Sequence, residues 1–239
     1  MRVVKPGYEI LDLPADAREI YRKIERAGRT CYKSEDKMTP ESSERFVRAM
    51  VKNHHEAMLE HASMTVVFTV DRGVSHEIVR HRMASFAQES TRYCRYADDK
   101  FGNEITVIEP IFYKDISDED KATLREWLHG NDLSEAGLNN EQWRYLSWYE
   151  LCLRAEQAYI SMLNLGATPE EARSVLPNSL KTEIVVTANM REWRHILNLR
   201  AAGVTGKPHP QMVEVMLPLL KELQKKLPAL FEDIRVNDQ

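Results

Sequence analysis

The chain has 239 residues, 43% of them hydrophobic and 29% charged, with a formal net charge of -4. That length buries a sizeable core, and the scarcity of glycine and proline excludes fibrous and disordered classes. A pI near 6.1 provides no overall field for nucleic acid or anionic lipid, so an anionic partner must be a small molecule caught by a local cluster of cations. No apolar run of about 18 residues marks a membrane span, and MRVVKPGYEI lacks a signal-peptide core, so a soluble, cytoplasmic protein is expected. Cys31, Cys94 and Cys152 form no Cys-x-x-Cys pair, which argues against zinc, redox exchange and a disulfide framework. Cys31 and Cys152 read as structural thiols.

Val3 and Val4 before Pro6-Gly7 predict a short strand and a turn. Ala17, Ile20, Tyr21 and Ile24 share one face of a helix over 14–27, with Gly28 as its stop. Thr39 as cap and Pro40 at the first helical position predict a second helix through Phe46, Val47, Met50 and Val51 to Asn53. His54, His55 and His61 follow and raise a metal reading. Six residues are about 240° around a helix, so His55 and His61 do not share a face, and no metal is expected. MTVVFTV at 64–70 predicts a strand, and 73–79 a short helix bearing His76 and Glu77.

The stretch from Arg80 to Arg95, RHRMASFAQESTRYCR, holds four arginines, a histidine, three serine or threonine hydroxyls and one acid, Glu89. It reads as a site for anions, with a solvated basic loop as the alternative. A polar loop over 97–103 and a strand over 104–108 come next. A helix-rich block over 117–166 opens with Ser117-Asp118-Glu119-Asp120, and its second helix starts near Asn140 with Trp143, Leu146, Leu153 and Ile160 as core positions. Thr168 and Glu171 have capping-box spacing ahead of Arg173. LKTEIVVTA at 180–188 reads as a strand with Glu183 among apolar neighbours.

On a helix over 190–199, steps of 100° put Arg191, Arg194, His195 and Asn198 on one face. Trp193, Ile196 and Leu197 form the other, and Arg200 points their way, which leaves ligand contact and snorkelling both open for it. A loop over 201–210 precedes a last helix with Met212, Val213, Met216, Leu219, Leu220 and Leu223, bent at Pro218. That helix reads as structural or oligomeric.

Two segments, 80–95 and 173–200, thus concentrate arginine beside hydroxyl, amide and imidazole groups. The planar guanidinium fork suits phosphate, so a nucleotide plus a phosphate-bearing cofactor is one reading and solvated surface arginines the other. No Gly-x-Ser-x-Gly elbow, phosphate loop or Gly-x-Gly-x-x-Gly fingerprint is present, and Cys94 has no pattern of a nucleophile around it. The chemistry is expected to come from a cofactor.

Arg80-His81-Arg82, seven residues, Ser90, then Arg92-Tyr93 closely resembles the Arg-His-Arg-x7-Ser signature of flavin-dependent thymidylate synthases. The resemblance extends to His55, Glu60-His61, His76-Glu77, Arg173 to Pro177, Asn189-x-Arg191-x-x-x-His195 and Asn198-Leu199-Arg200, in the family's order across 53–214. It implies an α+β fold in which a sheet is flanked by helices, with the helix-rich block inserted, as a single domain over 1–239. It also implies a homotetramer with active sites between subunits, and no nucleic-acid or membrane partner. The implied reaction is reductive methylation of dUMP to dTMP, with FAD as cofactor, methylenetetrahydrofolate as one-carbon donor, NADPH as reductant and tetrahydrofolate released.

By the same resemblance, Ala57, Arg80, His81, Arg82, Asn189, Arg191 and His195 serve FAD. Glu77, Gln88, Ser90, Arg92, Arg173 and Arg200 serve dUMP, with Arg92 and Arg173 at its phosphate and Arg200 as the catalytic, activating cation. His55 lines the flavin and folate side. No cysteine attacks the pyrimidine in this family, so Cys94 and Arg95 receive no role. The segment Ala201 to Pro208 is longer than the family's usual link. Two rivals remain: a nucleic-acid-binding protein using the same arginines, and a flavoprotein that has lost methyl transfer.

Overall fold

The computed structural model describes residues 1–130 and 137–236. In chain order the elements are β1 (Arg2–Val4), β2 (Gly7–Ile10), α1 (Arg18–Tyr32), α2 (Ser42–Lys52), β3 (Ser63–Asp71), α3 (Arg72–Ile78), β4 (Ala84–Gln88) and β5 (Thr106–Ile108). Then come α4 (Asp118–Gly130), α5 (Asn140–Asn164), α6 (Pro169–Ala172), β6 (Lys181–Asn189), α7 (Met190–Leu197), α8 (Pro210–Lys226) and α9 (Pro228–Phe231). This is the expected α+β architecture; residues 131–136 of the helix-rich block lie outside those described. Among the described residues no helix is long and apolar enough to cross a membrane.

The chain divides into two compact units. The first comprises Met1–Pro6, Val70–Ser75 and Glu89–Thr182. In it β1 and β5 pair in parallel, Val3 opposite Val107. The long helix α5 starts where Asn139 accepts hydrogen bonds from the backbone of Glu141 and Gln142, while Gln142 reaches back in a capping box. Its buried face carries Tyr145, Leu146, Tyr149, Cys152, Tyr159 and Leu163. Trp143, expected in this core, is 39% exposed, because it lies about 200° from Tyr145 around the helix. The Thr168 and Glu171 capping box forms as expected and starts α6.

The second unit comprises Gly7–Thr69, His76–Gln88 and the chain from Glu183 onward. Its sheet has the order β2-β3-β6-β4, with β2 antiparallel to β3 and β4 antiparallel to β6. Strict alternation buries Met64, Val66 and Phe68 of β3 and Ile184, Val186 and Ala188 of β6. Glu183, apolar neighbours notwithstanding, therefore faces outward. Two strands were not expected. Strand β2 begins at Gly7, which reads as a turn in sequence, and β4 lies inside the basic stretch, where Ser85 and Gln88 mask its alternation.

Helix boundaries also differ. Gly28 does not stop α1 but lies within it, against α2, where an added Cβ would sit 2.6 Å from Phe46 Cζ. The helix ends instead at Lys33, in the left-handed conformation with φ 47. Helix α2 starts at Ser42 rather than Pro40, because Ser42 Oγ accepts the Thr39 N–H and donates to the buried Glu25 carboxylate. Helix α8 continues through Pro218 and buries Met212, Val215, Met216, Leu219, Leu220 and Leu223, leaving Val213 half-buried.

Candidate active site

The second unit builds a polar group around Arg200. Helix α7 follows β6 without a loop, capped by Asn189, whose Oδ1 accepts the Glu192 N–H at 2.9 Å. After Leu197 the chain widens into a π-helical turn over Asn198–Ala202, ending at Gly203 with φ 70. Such turns re-aim side chains that an ordinary helix would direct elsewhere. In this turn Arg200 finds the anionic partner that a guanidinium on an apolar side requires. Its Nη1 donates to Glu77 Oε2 at 2.8 Å and its Nε donates to His81 Nε2 at 3.1 Å. The side chain is 23% exposed, so it is fixed by partners and still open to solvent.

His81 lies just beyond α3 and is buried. Burial first, then the neighbouring Arg200 and His195, push its imidazole down to about 4, so it is neutral near pH 7. Because Nε2 accepts from Arg200, Nδ1 carries the proton, 3.9 Å from Glu192 Oε1. Burial raises the Glu192 carboxyl, against the lowering influence of His195 and Arg191. The His195 ring stands edge-on to His81 at 6.0 Å. Ligand atoms of His81, Glu192 and His195 all lie within 4.8 Å of one another, a grouping with metal-binding potential that the sequence reading did not find. A protonated Nδ1 facing Glu192 is the wrong state for ligation, so we read the trio as hydrogen-bonding groups.

Arg194 leaves the expected polar face altogether. It is buried, forks onto the Asp233 carboxylate with two 2.7 Å bonds and also donates to the Leu230 carbonyl. Arg191, by contrast, is exposed and pairs with Glu60 at 2.6 Å and Glu56 at 3.5 Å. It lines two cavities of the second unit. One, of about 460 Å³, also has Asn189, Glu192, His195 and Asn198 on its wall. The other, of about 400 Å³, has His55, Ala57, Tyr32 and Met50. Of the residues assigned by resemblance, Asn189, His195, His55 and Ala57 thus gather around Arg191, and Arg200 and His195 around His81. Arg80 and Arg82 are exposed and have no side-chain hydrogen bond or ion pair among the described residues. Gln88 closes β4, opposite Ile184.

The first unit holds Ser90, Arg92 and Arg173 together. Ser90 Oγ accepts the Arg92 N–H at 3.3 Å, and the Ser90 carbonyl accepts the Tyr93 N–H at 3.2 Å, which closes a tight turn. Arg173 Nη1 donates to Thr91 Oγ1 at 3.4 Å, while Arg92 Nε donates to Glu170 at 2.5 Å. Both arginines are exposed. Thr91, Glu89 and Glu192 went unassigned in the sequence. Glu192 alone had a local signal, standing three residues after a capping asparagine.

The chemistry on offer is electrostatic and positional, the equipment of a cofactor-using enzyme that acts on anionic ligands. The family description "thymidylate synthase complementing protein" matches residues 15–229. The chain is 34% identical over 216 residues to the flavin-dependent thymidylate synthase of Corynebacterium aurimucosum, covering 89% of this chain and 79% of that one. To the enzyme of the same description from Mycobacterium tuberculosis it is 31% identical over 221 residues, with the same coverage. In fold it is similar to the UMP/dUMP methylase PolB from Streptomyces cacaoi bound with 5-Br dUMP, with a TM-score of 0.72 and 22% identity over 97% of this chain and 96% of that one. The chain belongs to the flavin-dependent thymidylate synthase family.

Proposed function

We propose that the chain methylates dUMP to dTMP, taking the one-carbon unit from methylenetetrahydrofolate and using FAD and NADPH, as a cytoplasmic homotetramer of single-domain subunits with shared active sites. The observation that carries this reading is the Arg200 cation, held half-open between Glu77 and His81. A guanidinium beside the uracil ring stabilises its anionic form and polarises it toward the one-carbon donor. Neutral His81 keeps the Nε end of Arg200 fixed, and the Glu77 carboxylate balances its charge. Glu77 therefore joins the dUMP site as the counter-ion of Arg200.

The residues present fit a dinucleotide flavin. Arg80 and Arg82 are uncommitted guanidinium groups, suited to the pyrophosphate, and Arg191, Asn189 and His195 supply charge, amide and imidazole on one cavity wall. His55 and Ala57 line the neighbouring cavity, Ala57 for the flavin and His55 on the flavin and folate side. Flavin, when bound and reduced, supplies the hydride that completes the methyl group. Ser90, Arg92 and Arg173 hold the nucleotide phosphate. The test is dTMP formation by flavin-loaded protein, with NADPH and methylenetetrahydrofolate each omitted in turn. Product that depends on both supports the reading. A protein that binds no flavin, or binds it and forms no dTMP, overturns it.

A further inference from the structure

Glu89 is the one acid of the basic stretch, and no role above uses it. Its carboxylate is largely buried, at 14% exposure, and it is held from two sides. Tyr96 OH donates to Oε1 at 2.8 Å, and Lys181 Nζ donates to Oε2 at 3.1 Å. Its own carbonyl is held as well, accepting from Arg72 Nη1 at 3.2 Å, and the same guanidinium nitrogen donates to Thr182 Oγ1. Tyr96 is buried and stays protonated, its hydroxyl pushed well above the ordinary range by burial first and then by Glu89. It therefore remains a donor at any working pH. Glu89 is thus held at both backbone and side chain, and the residue after it is Ser90.

We propose that Glu89 is a positioning residue for the nucleotide phosphate: anchored by Tyr96, Lys181 and Arg72, it sets the path of the Ser90 to Arg92 turn that presents hydroxyl and guanidinium to the anion. This rests on the reading of Ser90, Arg92 and Arg173 as phosphate ligands. A negative charge next to an anion site is costly unless neutralised, and Lys181 neutralises it where it stands. The arrangement keeps the carboxylate turned into the fold, leaving the outward side of the turn to Arg92.

The test compares Glu89→Leu, Glu89→Gln and Tyr96→Phe in the flavin-loaded enzyme, measuring kcat and KM for dUMP, flavin occupancy, and affinity for dUMP against deoxyuridine, which lacks the phosphate. Glu89→Leu is expected to raise the KM for dUMP about tenfold, the size of losing hydrogen bonds to a charged group. Flavin occupancy should be kept, kcat should stay within about twofold, and the preference for dUMP over deoxyuridine should fall by the same factor as affinity. Glu89→Gln should recover part of the loss, because its amide oxygen still accepts from Tyr96. Tyr96→Phe, the mildest change, gives the same pattern more weakly if Glu89→Leu fails to fold. Equal weakening of dUMP and deoxyuridine, or an unchanged KM in both Glu89→Leu and Tyr96→Phe, overturns the proposal. If the wild-type enzyme shows no preference for dUMP over deoxyuridine, the functional reading falls first and this inference with it.

Discussion

Arg200 has two partners of different kinds, a carboxylate and an uncharged ring, and both the arginine and the ring make a prediction. In the proposed function, removing the cation removes the charge that polarises the uracil ring. Arg200→Ala should lower dTMP formation by about 10² to 10³, the usual cost of one electrostatic donor, while bound flavin, read from its visible absorbance, is retained. Cys94→Ala should leave turnover unchanged, since the thiol has no place in this chemistry. Retained turnover in Arg200→Ala would remove the assigned role. His81 predicts a pH dependence of stability. Its folded value, about 4, lies below its ordinary 6.5, so the unfolded chain binds the extra proton first as pH falls. Stability contributed by the neutral ring is complete above about 6.5 and is lost progressively down to about 4. Thermal melts across that window should flatten in His81→Gln relative to wild type. An unchanged slope would mean that the ring is not held neutral.

Elements explain where the sequence could be read and where it could not. Strands β3 and β6 are rich in β-branched residues and were legible almost to the residue, as was the start of helix α5 near Asn140. Strand β4 was not, because none of its residues is fully buried and Ser85 and Gln88 break the apolar alternation. The π-helical turn was invisible too, since no local propensity distinguishes it from the helix it extends. Gly28 misled because glycine serves two purposes, ending helices and letting them approach closely. Here the second applies. Gly28→Ala gains about 1 kcal/mol in helix propensity but places a methyl 2.6 Å from a ring carbon. Overpacking of that kind costs about 1–3 kcal/mol. The net expectation is a loss of about 1 kcal/mol, read as a melting temperature lower by roughly 2–4 °C. A higher melting temperature would show that Phe46 yields at little cost.

At the scale of the whole molecule, the site residues named from the sequence fall into both compact units: Glu77, Gln88 and Arg200 in one, and Ser90, Arg92 and Arg173 in the other. The separation of 110 residues between Ser90 and Arg200 gave no hint of this, because unit membership is decided by tertiary packing. The proposed homotetramer predicts a mass about four times 27.8 kDa by light scattering, and a stable monomer that turns over dUMP would contradict it.

The tryptophans give the two units separate optical signatures. Trp193 is the only tryptophan of its unit and is fully buried, its indole N–H donating to the Met64 carbonyl at 2.9 Å and its ring tilted against Phe68. Trp148 sits in an aromatic group with Tyr113, Tyr145 and Tyr149, its indole N–H on Ser179. A Trp193→Phe variant thus leaves emission from the first unit alone, and the difference from wild type is the signal of the second. Denaturant titrations read in these two channels distinguish one cooperative transition from two. Coincident midpoints support one folding domain, and a second transition in the Trp193 channel would count the units as separate folding bodies.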